Sequence, residues 1–335
     1  MKLAPSFCAN SGIGAKIGTT VQDRGEIISE GRPIRQELEF SSGGYVLSGT
    51  LTLPEPGSLH PVVLFLAGSG QTDRDDNAGR LKIDLFPPLV EAFTQIGFAT
   101  YRYDKRGVGA SQGDFLATGF YDLAADAEKA IEFLSSLEQI DSSKIFVLGH
   151  SEGAMLAARL AAGKANVAGA VLLAGSAKSG EETMLWQAKQ IVGSLKGFNK
   201  ALIKFLRIDV LKSQRKTLDR LKVTTQDSTR IQGKRINAKW MREFLTYDPS
   251  QDLTAVKVPI LAITGAHDIQ VDPKDLAVMA KSVAAEIDTH ELPGLSHLLR
   301  DDPERVGLSA YRRQAKKPLD RKLIELVSDW LSSRV

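Results

Sequence analysis

A single cysteine, Cys8, stands in 335 residues, so no disulfide can form within the chain. That usage fits a reducing compartment. The opening MKLAPSFCANSGIGAKIG holds no apolar run of the kind a secretion signal needs. Cys8 is therefore expected to be inert rather than lipidated. Nor does any stretch approach the ~18 consecutive apolar residues of a membrane-spanning helix. A cytoplasmic location is the resulting expectation. His, Cys, Asp and Glu nowhere cluster at metal-ligand spacing, so no metal is implied. Charge of one sign is also scarce: a net +3 over this length argues for neither nucleic acid nor membrane as a partner. Internal repeats and low-complexity tracts are missing too.

What the chain does have is an ordinary globular composition, 43% apolar and 25% charged. Its length allows one large α/β domain or two smaller ones. Residues 1–34 are polar and Gly-rich and read as an appended, partly disordered arm. Beyond them strand and helix signals alternate. Gln36–Phe40 and Tyr45–Leu53 read as two antiparallel strands. Pro61–Ala67 is a short continuous apolar run, as expected of a strand buried on both faces.

A helix over Leu85–Ile96 is stopped by Gly97. Strand Phe98–Tyr103, helix Tyr121–Leu137, strand Lys144–Leu148, helix Glu152–Ala162 and strand Val167–Ala174 follow. After a gap come strands Pro259–Thr264 and Glu286–Leu292 and a last helix over Leu319–Leu331. This order specifies an α/β fold, a mostly parallel sheet with helices on both faces.

The gap, residues 178–250, shows no strand signal and reads as an inserted helical cap, leaving 35–177 and 251–335 as the core. It holds sixteen Lys/Arg against seven Asp/Glu, an excess of nine, so the rest of the chain is net −6. Amphipathic helices with solvated basic faces account for these charges. Such a field also suits steering of acidic substrates.

The pattern G-x-S-x-G occurs twice, as Gly149-His150-Ser151-Glu152-Gly153 and as Gly109-Ala110-Ser111-Gln112-Gly113. One copy arises by accident in roughly one chain in six of this length, so context decides. A nucleophilic serine needs a sharp strand-to-helix turn that lifts its hydroxyl clear of the sheet. Ser151 follows an apolar strand and precedes an alanine-rich helix. Ser111 lies eight residues past its strand and is followed by a helix-poor stretch, so it reads as structural.

A serine hydroxyl needs a base, and histidine suits neutral pH. Five are available. His60 precedes a strand, His150 sits beside the serine with its ring expected to point away from the hydroxyl, His267 adjoins Asp268, and His290 lies within the last strand. His297 differs, since Pro293-Gly-Leu-Ser-His297 is a loop at the carboxyl end of a sheet strand, where ligand sites of open α/β sheets form. The acid that orients it is expected to be Asp268, just past strand 259–264, with Asp272 as rival. The order Ser151, Asp268, His297 is that of α/β hydrolases.

Two N–H donors are also needed where the carbonyl oxygen gains charge. Glu152, after the nucleophile, should supply one. Ala67-Gly68-Ser69-Gly70, after strand 61–67, should supply the other from Ser69, with Gly70 as alternative. No Gly-Lys-Ser/Thr follows these glycines, so the phosphate-loop reading fails. Gln71–Asp76 is dense in charge and reads as ordering this loop, lining the pocket, or forming a solvated loop. Asp104–Ser111 reads as a structural turn near the site.

Over residues 36–335 the chain resembles the α/β-hydrolase superfamily. Within it the chain is similar to bacterial serine carboxylesterases carrying Gly-Ser-Gly-x-x-Asp-Arg-Asp, here Gly68–Asp75, together with Asp-x-Arg-Gly-x-Gly-x-Ser, here Asp104–Ser111, and Gly-His-Ser-Glu-Gly, here Gly149–Gly153. The resemblance implies an eight-stranded sheet, a cap after the sixth strand, no cofactor, and a two-step acyl-enzyme mechanism. Ala67 departs from the superfamily, where histidine commonly precedes the oxyanion glycine; both Ser69 and Gly70 thus stay candidates. The expected activity is cleavage of a small-molecule acyl ester, with no nucleic acid or membrane partner. The same triad would serve a peptidase, thioesterase or acyltransferase, and the scaffold also occurs as a non-catalytic ligand-binding protein.

Overall fold

The computed structural model describes residues 33–194, 209–231, 233–302 and 307–335. The expected 1–34 arm, Cys8 included, falls outside the described residues except for its last two positions, as do residues 195–208 of the 178–250 segment.

Strand β1 (Ile34–Ser42) pairs antiparallel with β2 (Tyr45–Leu53), and β2 pairs antiparallel with β4 (Ala99–Tyr103). Every further pairing in this sheet is parallel: β4 with β3 (His60–Leu66), then β5 (Ile140–His150), β6 (Gly169–Leu173), β9 (Ile260–Gly265) and β10 (Ile287–Leu292). The result is one eight-stranded sheet ordered β1-β2-β4-β3-β5-β6-β9-β10. It matches the expected architecture.

Period-2 side-chain alternation divides the core in two. Val62, Leu64 and Leu66 of β3 join Tyr101, Val147 and Ala170 beneath helices α2 (Phe120–Ser135) and α3 (Glu152–Arg159). Val63, Phe65 and Ala67 face the opposite side, with Phe146, Val171 and Ile263, beneath α1 (Phe86–Gln95). Phe146 on that side also meets Trp330 of the C-terminal helix Arg321–Ser332 edge to face. Helices on both faces leave the central strands no contact with water, which is why they read as unbroken apolar runs.

Between β6 and β9 the chain leaves the sheet. It forms α4 (Gly180–Ser194), α5 (Val210–Lys222), a hairpin β7 (Ser228–Ile231) and β8 (Lys234–Asn237), α6 (Ala238–Thr246) and α7 (Pro249–Ala255). The hairpin corrects the expectation of a strand-free segment. Its strands are four residues long and polar, too short and wet to produce an alternating apolar signal, and Gly233, at φ +80°, lies in its connection. Helix α8 (Asp275–Ser282) was likewise not anticipated from the sequence. No helix among the described residues is long and apolar enough to cross a membrane.

Candidate active site

Strand β5 ends at His150 and α3 begins at Glu152, so the whole reversal falls on Ser151. Its φ of 56° and ψ of −113° lie where side chains are strongly disfavoured, a strain of about 1–3 kcal/mol that the surroundings must over-determine. They do. The Ser151 N–H donates to the Leu173 carbonyl at 2.9 Å. A Cβ on Gly149 would stand 1.9 Å from the Gly153 carbonyl oxygen, and one on Gly153 would stand 1.9 Å from that of Leu66. Both flanking glycines are therefore demanded by backbone-on-backbone packing. Ser111, by contrast, donates to the Asp104 carbonyl at 2.6 Å and accepts from the Ser48 N–H at 2.9 Å, a turn-stabilising serine.

The carboxyl ends of β9 and β10 carry the other two expected residues. Asp268 is completely buried, and its Oδ1 accepts the N–H groups of Gln270 and Val271 at 2.7 and 2.9 Å. The other oxygen, Oδ2, lies 2.8 Å from Nδ1 of His297. A carboxylate can only accept, so His297 Nδ1 carries a proton and Nε2 is left as the basic nitrogen. Asp272 instead pairs with Lys178 at 2.7 Å.

The loop around His297 is held by Arg300, whose guanidinium donates to the carbonyls of Leu298, Lys317 and Ile83 at 2.7, 3.0 and 2.6 Å. Burial lowers that guanidinium to about 10, with Asp84 opposing the shift.

His150 links the serine's strand to the histidine's loop. Its Nε2 lies 2.9 Å from the His297 carbonyl oxygen, and the two imidazole centroids are 5.0 Å apart. Ser151 and His297 are thus neighbours through His150, although no hydrogen bond joins the Ser151 hydroxyl to His297 Nε2 among the described residues. The ring of His150 indeed turns away from the hydroxyl: its Nδ1 meets Asp76 Oδ2 at 2.6 Å. Both ring nitrogens therefore face acceptors, and both need a proton. Burial alone would lower the pKa of this ring, but Asp76 and the carbonyl outweigh it and the net shift is upward.

The remaining histidines serve structure. His60 Nε2 meets the Glu55 carbonyl, His267 Nδ1 the Asp302 carbonyl, and His290 sits within β10.

The loop after β3 is the expected oxyanion segment, and it is clamped. Asp76 Oδ1 accepts the Gly68 N–H at 2.7 Å, while Thr72 Oγ1 and Lys105 Nζ both donate to the Gly68 carbonyl. Lys105 also pairs with Glu152 at 2.8 Å, both side chains being buried. Losing one member of such a pair costs about 3–5 kcal/mol, because the other charge stays buried and unmatched. The second oxygen of Glu152 accepts Trp240 Nε1 of α6 at 2.6 Å. The N–H groups of Ser69, Gly70 and Glu152 have no protein acceptor among the described residues.

Within the charged Gln71–Asp76 run Gln71 is exposed, while the acidic residues and Arg74 order the loop. Asp73 accepts the N–H groups of Asp75 and Asn77, Arg74 pairs with Asp104 at 2.9 Å, and Arg102 pairs with Asp75. Burial would push the Asp104 carboxyl up, but hydrogen bonds from Arg74 and Ala110 hold it below the usual range.

Sequence reasoning did not pick out Asp76, Lys105 or Trp240 individually. Asp76 lies in the noted charged run, Lys105 in the Asp104–Ser111 turn and Trp240 in the basic segment, but nothing local marks the partner of any of them.

A serine on a strained strand–helix turn of a mostly parallel sheet, with an aspartate–histidine pair at the same sheet edge, defines an α/β hydrolase. The family described as serine aminopeptidase, S33, matches residues 82–304, and the chain belongs to it. It is 26% identical over 300 residues to esterase EstD of Thermotoga maritima, a match covering 88% of this chain and 67% of that protein. Among solved structures, DcsB in complex with its substrate analogue aligns at a TM-score of 0.59 with 18% identity, covering 91% of this chain and 99% of that one. Est1E from Butyrivibrio proteoclasticus, with ferulic acid bound, aligns at 0.58 with 16% identity, covering 88% and 96%. These two structural likenesses bear on the fold.

Proposed function

We propose that the chain is a carboxylesterase in which Ser151 is the nucleophile, His297 the general base and Asp268 its orienting acid. The observation that carries this reading is the 2.8 Å contact between the buried Asp268 carboxylate and His297 Nδ1, beside a serine held in a left-handed elbow.

In this scheme His297 Nε2 takes the hydroxyl proton as Ser151 Oγ attacks the ester carbonyl carbon. The developing imidazolium is stabilised by Asp268, and the oxyanion by the N–H groups of Glu152 and Ser69, or of Gly70. His297 then returns the proton to the leaving alcohol, and the acyl group stays on Ser151. Water, deprotonated by the same imidazole, attacks the acyl-enzyme and releases the acid.

The 178–250 segment acts as a cap in this reading, because Trp240 of α6 reaches the side chain of the residue that follows the nucleophile. Similarity to an esterase, and the resemblance to carboxylesterases with the Gly68–Asp75 loop, support esters over peptides as substrates. The same triad would serve a peptidase, thioesterase or acyltransferase, so the test separates them.

Short p-nitrophenyl esters should turn over with an initial burst, far faster than aminoacyl or peptidyl anilides and acyl-CoA. A fluorophosphonate should label the wild type stoichiometrically, with labelling and turnover both lost in Ser151→Ala. Labelling that survives that substitution sinks the nucleophile; faster cleavage of anilides sinks the ester preference.

A further inference from the structure

Lys105 has no part in the triad, yet it is buried where two segments of the site meet. Its ammonium donates to the Gly68 carbonyl oxygen and to Glu152 Oε1. Gly68 is joined to Ser69 by one peptide unit. In a planar trans peptide the carbonyl of the first residue and the N–H of the second point in opposite directions. Whatever fixes the Gly68 oxygen therefore fixes the direction of the Ser69 N–H.

That oxygen is fixed by two donors, Lys105 Nζ and Thr72 Oγ1, while Asp76 holds the Gly68 N–H at 2.7 Å. The amide is also polarised, since a cation on a carbonyl oxygen withdraws electron density from the attached nitrogen and strengthens its N–H as a donor. The Ser69 N–H itself meets no protein acceptor among the described residues.

We propose that Lys105 is a positioning residue of the oxyanion hole, aiming and polarising the Ser69 N–H while its ion pair ties that peptide to Glu152, the residue bearing the second donor. The inference rests on the esterase reading above and assigns Ser69 over Gly70. The carbonyl of Gly70 is used instead to accept the Thr72 N–H at 2.9 Å, and among the described residues no cation touches the Ser69 carbonyl of the peptide carrying the Gly70 N–H. Lys105 exerts little net field, because Glu152 neutralises it and Trp240 occupies the second carboxylate oxygen at 2.6 Å. Its effect is therefore confined to the Gly68–Ser69 peptide it aims and polarises, and it belongs to the transition state, where the acyl oxygen becomes charged.

The test compares Glu152→Gln with the double variant Lys105→Met/Glu152→Gln in the full-length chain. Both lack the ion pair; Glu152→Gln leaves the Lys105 ammonium facing a neutral amide, so its melting transition is read beside its kcat, and the double variant leaves no buried charge of the pair. Only the first keeps the Lys105 donor on the Gly68 carbonyl; the Thr72 hydroxyl stays on it in both. With a short p-nitrophenyl ester, kcat of the double variant should fall about 10- to 100-fold below that of Glu152→Gln, somewhat less than loss of a whole oxyanion donor. KM should change by less than about threefold, and affinity for a trifluoromethyl ketone, which forms an oxyanion adduct, should fall in step with kcat/KM.

Equal kcat in the two variants, or a loss carried by KM alone, overturns the proposal. If the methionine variant loses its cooperative melting transition, Lys105→Gln/Glu152→Gln is read instead: kcat at least about fivefold below Glu152→Gln supports the proposal, and an equal kcat overturns it. A wild type that neither turns over esters nor takes up a fluorophosphonate overturns the esterase reading itself, and this inference with it. A fully active wild type with an insensitive double variant overturns the inference alone.

Discussion

His150 and Ser151 are adjacent in sequence but do different work. The serine faces the open side of the elbow, while the histidine ring is buried with a carboxylate on one nitrogen and a backbone carbonyl on the other. A neutral imidazole has one donor and could satisfy only one of them. The charged ring satisfies both, which is why its pKa lies above the ordinary 6.5 despite burial. Such a group binds a proton more tightly folded than unfolded. Its stabilising contribution is complete below about pH 6.5 and is lost as the pH rises through the folded value. Asp76→Asn keeps an acceptor for the Gly68 N–H but removes the charge that holds the proton. The melting-temperature gap between wild type and Asp76→Asn should therefore be widest near pH 5–6 and narrow above pH 8. A gap that stays constant over pH 5–9 would mean that His150 is neutral throughout.

At the scale of elements, the elbow between β5 and α3 holds the two glycines, Gly149 and Gly153, that leave least room for a Cβ among the described residues. Gly149→Ala should place a methyl group 1.9 Å from the Gly153 carbonyl oxygen, and neither backbone can yield without moving Ser151. A destabilisation of about 1–3 kcal/mol by urea unfolding is expected, with fluorophosphonate labelling slowed more than tenfold. Unchanged stability and labelling would show that the elbow relaxes freely. This turn was legible in the sequence because its requirements are local: an apolar strand, two glycines two residues either side of a serine, and a helix. The eight strands were legible for the same reason, each being a short apolar or alternating run. The charged clamps were not. Asp76 reaches His150 across 74 residues, Lys105 reaches Glu152 across 47, and Trp240 reaches Glu152 across 88. No periodicity links such pairs, and only the assembled sheet edge brings them together. The β7–β8 hairpin escaped for another reason, since its residues are too polar to betray a buried face.

For the whole molecule, charge is divided unevenly along a chain that is nearly neutral overall. The 178–250 segment carries an excess of nine positive charges and the remainder a net −6. Part of this segment is fastened to the core close to the site. Asn237 Nδ2 donates to the Thr118 carbonyl at 2.6 Å, Glu243 accepts the Tyr121 N–H at 3.0 Å, and Lys239 pairs with Asp122 at 2.7 Å. The rings of Phe120 and Tyr247 meet at 4.6 Å. Lys178, Lys222 and Lys239 have acidic partners, but the other basic residues leave the segment strongly positive. A positively charged segment that reaches Glu152 of α3 through Trp240 should raise the local concentration of anionic substrates, and salt should cancel it as the screening length falls from about 30 Å at 0.01 M to about 10 Å at 0.1 M. Across that range kcat/KM for an ester bearing a remote carboxylate should drop several-fold, while a neutral ester of the same size stays level. The drop should appear in kcat/KM rather than kcat, because steering acts on encounter and not on the bound complex. Parallel responses of the two esters would show that the basic segment does no steering, and that its lysines and arginines serve only solubility and local pairing.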